Sequence, residues 1–181
     1  LEQYKGFIGG GTKKQVEKLL ISTGGIPDRG LDFYFKFFQD RYYEDPVKDC
    51  SLYEGVTELI ELLKSKEIKL AICTQKFESS AKKVLLHLNI YDYFDGFAYG
   101  DSTGFLKPDP KVFHHAVKEL GNGRYFYIGD TAIDLHLAKS VGANFYFHKR
   151  GYAPQTLEKV GIDFSFDSFG ELTRHLEHNL A

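Results

Sequence analysis

Methionine and tryptophan are absent from these 181 residues, and cysteine occurs only twice, at Cys50 and Cys73. Two thiols cannot build a disulfide scaffold, so a small cross-linked secreted domain is excluded and a cytoplasmic protein with reduced thiols is expected. The missing methionine includes position 1, which is Leu1, and a methionine-free chain of this length departs from ordinary usage. The natural protein is therefore expected to begin upstream of Leu1. No apolar run approaches the roughly 20 residues that span a bilayer, and no signal peptide is visible. Neither sign of charge dominates: 23 basic and 25 acidic residues give a formal net charge of −2. That balance offers nothing to a nucleic-acid backbone or an anionic membrane. The seven histidines lack metal-ligand spacing; His114, His115, His175 and His178 read as helix-surface residues. Internal repeats, low-complexity tracts and long linkers are also missing.

Hydrophobic residues, by contrast, make up 43% of the chain, enough for one substantial core and a small appendage. Up to Cys50 the pattern is helical. Thr12–Ser22 carries Val16, Leu19 and Leu20 on one face, and Gly30–Tyr43 is dense in aromatics, from Phe33 to Tyr43. Most of these rings are expected to fill the interior of a small helical unit and its contact with the rest, and one or two to line a substrate entrance. After Cys50 the pattern alternates. Helices are predicted over Tyr53–Lys66, Glu78–Leu88, Pro110–Leu120, Ala132–Val141, Pro154–Val160 and Phe169–His178. Strands are predicted over Ile68–Thr74, Phe97–Asp101, Arg124–Ile128, Asn144–His148 and Asp163–Phe166. Such alternation indicates an α/β fold with a parallel sheet and right-handed crossovers.

Chemistry concentrates at strand ends. Gly129-Asp130-Thr131-Ala132-Ile133-Asp134 sets two carboxylates four residues apart where a strand turns into a helix. Asp130 falls at the strand's carboxyl end, where open α/β sheets place their ligands and where a carboxylate can hold a hard cation. Asp134, one turn into the helix, can hold a metal-bound water or orient a neighbour. The plainer alternative makes Asp130 a helix cap and Asp134 a first-turn residue that offsets the helix dipole. Two other segments weigh against it. Ile68–Thr74 ends in a hydroxyl, and Lys107-Pro108-Asp109-Pro110 follows the short strand Phe97–Asp101. A hydroxyl and an ammonium hold phosphate oxygens, and a carboxylate holds the Mg²⁺ that neutralises them.

In order and type, Thr74, Lys107, Asp130 and Asp134 resemble motifs II, III and IV of the haloacid dehalogenase-like (HAD) phosphohydrolases. Leu1–Leu20, Cys73–Lys76 (CTQK), Lys107–Pro110 and His148–Tyr152 (HKRGY) are similar to the phosphoglycolate phosphatase-like subgroup, with Gln75 where Asn is usual. The resemblance implies a three-layer Rossmann-like core over residues 51–181 and a helical cap over residues 1–50. It implies a small phosphorylated metabolite as partner and Mg²⁺ as cofactor. Thr74 and Lys107 become catalytic, Thr74, Gln75, Lys76 and Lys107 substrate-binding, and Asp130 and Asp134 metal-binding. Gly9-Gly10-Gly11 reads as a bend at the cap edge, since no strand precedes it and no Lys-Ser/Thr follows in P-loop register.

The family's nucleophile, an Asp in a DxDGT-like segment on the first core strand, has no counterpart in this sequence. That strand is central in the family sheet, between the strands ending here in Thr74 and Asp130. Each buried polar group left unpaired costs about 1–3 kcal/mol, against a native total of about 5–15 kcal/mol. The strand is therefore expected to be supplied by another segment or molecule, or else the sheet is distorted, and the chain alone is expected to be inactive. The resemblance favours a phosphatase; a mutase, a pyrophosphatase, a phosphonate hydrolase or a non-catalytic binding or scaffold protein of the same fold remain the alternatives. Substrate identity and oligomeric state are not legible.

Overall fold

The computed structural model describes residues 7, 11–151, 157 and 162–180. In chain order its helices are α1 (Thr12–Ser22), α2 (Gly30–Glu44), α3 (Val56–Ser65), α4 (Glu78–His87), α5 (Pro110–Ala116), α6 (Ala132–Ser140) and α7 (Phe169–Asn179). The strands are β1 (Ala71–Cys73), β2 (Gly96–Ala98), β3 (Phe126–Gly129), β4 (Asn144–His148) and β5 (Phe164–Phe166), all in parallel pairs.

The densest hydrophobic pattern, Asn144–His148, lies at the centre of the larger sheet, whose order is β3-β4-β5. Successive side chains on a strand point to opposite faces. Phe145 and Phe147 therefore pack with Phe113, Leu135, Leu137 and Ala138 of α5 and α6. Tyr146 packs on the other side with Leu59 and Leu63 of α3 and with Leu172 and Leu176 of α7. Helices cover both faces, the arrangement parallel sheets require.

One continuous sheet is expected from the alternation; the described strands form two. β1 pairs with β2 alone, in register from Ala71 opposite Gly96 to Cys73 opposite Ala98. No ladder joins β1 to β3. Residues 68–74 and 124–128 instead line a common apolar cleft of about 560 Å³, to which α3, α4, α5 and α7 contribute Ile60, Leu85, Ala116 and Leu176.

Element ends differ from expectation for local reasons. β2 stops at Ala98 instead of reaching Asp101, because the Tyr99 N–H donates to Ser102 Oγ at 2.9 Å and turns the chain. Asp101 Oδ1 then accepts the Glu78 N–H at 2.9 Å, at the start of α4. α5 ends at Ala116, four residues early, and the chain continues to Leu120 in turns. A short 3₁₀ turn at Tyr91–Tyr93 has no counterpart in the sequence pattern. The helix expected over Pro154–Val160 lies, apart from Leu157, outside the described residues, as do Gly9, Gly10 and Tyr152.

The aromatic residues of α2 depart most from expectation. None is buried; Phe37 remains 59% exposed and Phe33 42%. α2 packs against α1, where Val16 is the buried residue, and two short helices cannot enclose so many rings.

Gly96 lies where β2 passes against α5. A Cβ there would sit 2.1 Å from the Ala116 carbonyl oxygen and 2.8 Å from Leu120 Cδ1. Gly96→Ala is expected to cost about 1–3 kcal/mol through overpacking, lowering the urea midpoint at constant slope. An unchanged midpoint would show that β2 and α5 are not in that contact.

Candidate active site

Three segments deliver polar side chains to the carboxyl ends of the strands. The first follows β1. The Thr74 N–H donates to the Ala98 oxygen at 2.9 Å and prolongs the β1–β2 ladder. The Lys76 N–H donates to Thr74 Oγ1 at 3.2 Å, and the Gly100 N–H donates to the Lys76 oxygen at 2.8 Å. The turn is thus pinned on both sides.

The second segment carries Lys107, joined to Pro108 by a cis peptide bond. Asp109 caps α5, its Oδ1 accepting the Lys111 N–H at 2.9 Å, and Pro110 supplies the fixed φ suited to a first turn. Gln75 Nε2 donates to the Lys107 carbonyl at 3.1 Å and braces this loop against the first segment.

The third segment follows β3. Asp130 stands directly after the strand, and Thr131 caps α6 in its place: Thr131 Oγ1 accepts the Asp134 N–H, and Asp134 Oδ2 accepts the Thr131 N–H and hydroxyl. This reciprocal capping box removes the reading of Asp130 as the helix cap. Gly129 permits it, since a Cβ there would meet Asp134 Cβ at 2.5 Å.

Asp134 ties the segments together. Lys107 Nζ donates to its Oδ1 at 2.6 Å and to the Cys73 carbonyl at 3.3 Å, and the Tyr127 hydroxyl donates to the same Oδ1 at 3.3 Å. The Lys107 and Asp134 side chains are only 14% and 6% exposed. Burial by itself would raise the Asp134 carboxyl, but the Lys107 ammonium and the Lys107 and Thr131 hydrogen bonds outweigh it and hold the group below the usual carboxylate range. Burial, reinforced by the Asp134 charge, pushes the Tyr127 phenol far up, so it stays protonated as a donor.

Thr74, Gln75, Lys76, Lys107, Asp130 and Asp134 all line one cavity of about 790 Å³, together with Gln39, Tyr42 and Tyr43 of α2. Lys76 is exposed, and its ammonium meets the Tyr42 hydroxyl at 2.5 Å. Of the HKRGY segment, His148 faces the Tyr53, Phe166 and Phe169 rings, away from this cavity. Gly151 presses on Asp130: a Cβ there would lie 2.3 Å from both Cβ and Oδ2 of that aspartate. Tyr127, Thr131 and Gly151 have no role of their own in the sequence reading. Only Thr131 had a readable signal, the Thr-x-x-Asp spacing of a capping box.

Among the described residues, no three His, Cys, Asp or Glu side chains form a ready-made metal cage. One carboxylate at the rim nevertheless suits Mg²⁺, which takes one or two protein carboxylates and completes its shell with water and phosphate oxygens. Asp130 fits that part. Both oxygens of Asp134 are already engaged, which fits an orienting part.

Residues 1–147 match the model of the haloacid dehalogenase-like hydrolase family, and the chain belongs to that family. It is 30% identical to a phosphoglycolate phosphatase of Cereibacter sphaeroides over 97% of this chain and 83% of the relative. A phosphoglycolate phosphatase of Rhodobacter capsulatus is 31% identical over 95% and 78%. The crystal structure of a predicted phosphoglycolate phosphatase from Haemophilus somnus superposes with a TM-score of 0.81 at 23% identity, covering 96% of this chain and 81% of that one. CbbY from Rhodobacter sphaeroides, solved in complex with phosphate, superposes with a TM-score of 0.75 at 23% identity, over 94% and 78%. These superpositions establish the shared α/β fold. Among the described residues, no helix is long and apolar enough to cross a membrane.

Two outcomes are expected from this geometry. Gly151→Ala should displace the Asp130 carboxylate and cost about 1–3 kcal/mol through overpacking, read as a lower urea midpoint; an unchanged midpoint would contradict the packing. Asp134→Ala leaves the Lys107 ammonium buried without its partner and should cost about 3–5 kcal/mol at neutral pH. The depressed carboxyl contributes stability above its unfolded pKa of about 3.9, and this is lost as pH falls through the lower folded value. Denaturation series across pH 2–5 should therefore show a shallower acid limb in the variant; an identical limb would remove Asp134 from the linkage.

Proposed function

We propose that the chain forms the cap, residues 1–50, and most of the core, residues 51–181, of a Mg²⁺-dependent phosphatase acting on a small phosphorylated metabolite of the phosphoglycolate kind. One observation carries this reading: a threonine hydroxyl, a lysine ammonium and an aspartate carboxylate from three separate loops line a single cavity at the strand ends. The names of the relatives at 30–31% identity support the substrate class.

The nucleophile in this account is an aspartate on a strand that these 181 residues do not supply. The cleft between residues 68–74 and 124–128 suits such a strand, since it is apolar and is bordered by the β1 and β3 edges that face away from β2 and β4. The aspartate oxygen attacks phosphorus, the alcohol oxygen leaves with the bonding pair, and water then cleaves the aspartyl phosphate to inorganic phosphate. The Lys76 N–H occupies a lone pair of Thr74 Oγ1, so the hydroxyl directs its proton outward to a phosphate oxygen. Lys107, held by Asp134, offsets charge gathering on the transferring phosphoryl group. Asp130 holds Mg²⁺, which when bound neutralises phosphate charge; Asp134 supports from behind through Lys107. The two free thiols, Cys50 and Cys73, suit a reducing cytoplasm.

A phosphatase assay on the natural full-length protein tests the reading. Turnover should require Mg²⁺ and fall about 10²–10³-fold or more in Lys107→Ala and Asp130→Asn, by analogy with removing an electrostatic stabiliser. Turnover indifferent to chelator or to Asp130→Asn would refute it. An upstream sequence lacking any DxDGT-like segment would favour a non-catalytic binding protein.

A further inference from the structure

Besides Lys107 the cavity is lined by Lys13, which is paired with Asp32, by Lys14 and by Lys76; Lys76 is the one that adjoins Thr74, and it is placed differently from Lys107. Lys107 points inward to Asp134 and the Cys73 carbonyl and is nearly buried. Lys76 is exposed, two residues beyond Thr74, and its ammonium is held from the opposite wall by α2. Tyr42 provides both contacts: the hydroxyl at 2.5 Å and the ring face, with Nζ 4.8 Å from the centroid. Neither contact neutralises the charge. A tyrosine hydroxyl accepts one of three ammonium protons, and a ring face attracts the cation without cancelling it.

The backbone around Lys76 is rigid. Its N–H is bound to Thr74 and its carbonyl accepts from Gly100, so the base of the side chain is fixed relative to Thr74. The α2 side is also anchored, because Tyr43 stacks on Phe77 with centroids 6.3 Å apart. Lys76 and Tyr42 line the same cavity as Thr74 and Lys107, so an ester whose phosphate sits at Thr74 and Lys107 shares that enclosure with them.

We propose that Lys76 and Tyr42 form a leaving-group subsite that selects phosphate monoesters bearing a second anionic group, a carboxylate in the simplest case. The inference rests on the phosphatase reading and deepens it. Tyr42 keeps the ammonium centred over the cavity in the free protein, and the incoming anion takes up the ammonium's remaining protons while the tyrosine contact persists. Tyr42 thus acts as the positioning residue and Lys76 as the charge that reads the substrate. Discrimination arises because a neutral hydroxyl in the same place forms a weaker bond to an ammonium than an anion does.

The test is equilibrium binding to the natural full-length protein with Mg²⁺ withheld by chelator, followed by calorimetry, so that the Mg²⁺-dependent turnover does not consume the probes. The probes are 2-phosphoglycolate and 2-hydroxyethyl phosphate, its counterpart with a neutral leaving group. The wild type should prefer the carboxylated ester about tenfold or more, the range for one charge-assisted contact. In Lys76→Ala that ratio should collapse toward one. Lys76→Arg should retain most of it, and Tyr42→Phe should reduce it. A ratio that survives Lys76→Ala overturns the subsite, and so does equal weakening of both esters, which would place Lys76 in the phosphate cradle. Equal wild-type affinity for both esters defeats this inference but leaves the phosphatase reading intact. Failure of both esters to bind overturns the two together.

Discussion

The arrangement at the strand ends depends on one buried ion pair. Lys107, in the loop before α5, and Asp134, in the first turn of α6, are 27 residues apart, and their 2.6 Å contact joins these two segments. A buried pair of this kind is poor evidence of net stabilisation, because desolvating both charges costs several kcal/mol. Its value here is positional. Lys107 also bonds the Cys73 carbonyl, so one ammonium references the ends of β1 and α6 together. Asp134 in turn is fixed by the Thr131 capping box and the Tyr127 hydroxyl. Chemistry that relies on fixed charges needs such a frame, since electrostatic stabilisation works only when the charges need not reorganise.

Around that frame the molecule has two unequal halves. The β3-β4-β5 sheet is sealed on both faces by aromatic and aliphatic side chains. The β1-β2 pair is smaller and lies across the apolar cleft. The cavity with the polar residues and the apolar cleft share Cys73's neighbour Thr74 and the Lys76 turn as common wall. Whatever fills the cleft therefore bears directly on the positions of Thr74 and Lys76. Membership of the haloacid dehalogenase-like hydrolase family gives this geometry its chemical setting.

How legible was this from the residues alone? β4 was read to the residue, because Phe145, Tyr146 and Phe147 are buried on both faces and leave no competing pattern. Thr74, Lys107 and Asp130, which the structure brings to one cavity, stand out as an ordered set, since a hydroxyl, an ammonium and a carboxylate at successive strand ends are individually common but collectively rare. Partnerships were not legible. That Asp134 spends both oxygens on Lys107, Tyr127 and Thr131 depends on loop conformations with no period to read. The Tyr42–Lys76 contact spans 34 residues and two units of structure. The aromatic richness of α2 misled in part: it signalled burial for most of the rings, whereas none is buried, and Tyr42 and Tyr43 are among those that line the cavity, as one or two were expected to. Strand Phe97–Asp101 was overextended because the alternation runs on after a side chain, Ser102, has already turned the chain.

The central claim is that Lys107 and Asp134 hold one another and, through that contact, the site. A double-mutant cycle on urea unfolding, with Lys107→Ala, Asp134→Ala and the pair, measures it directly. The account predicts a coupling of about 1.5–3 kcal/mol, with the double variant more stable than the sum of the single losses implies. Additive losses, with coupling near zero, would mean that the two side chains do not depend on each other and would contradict it.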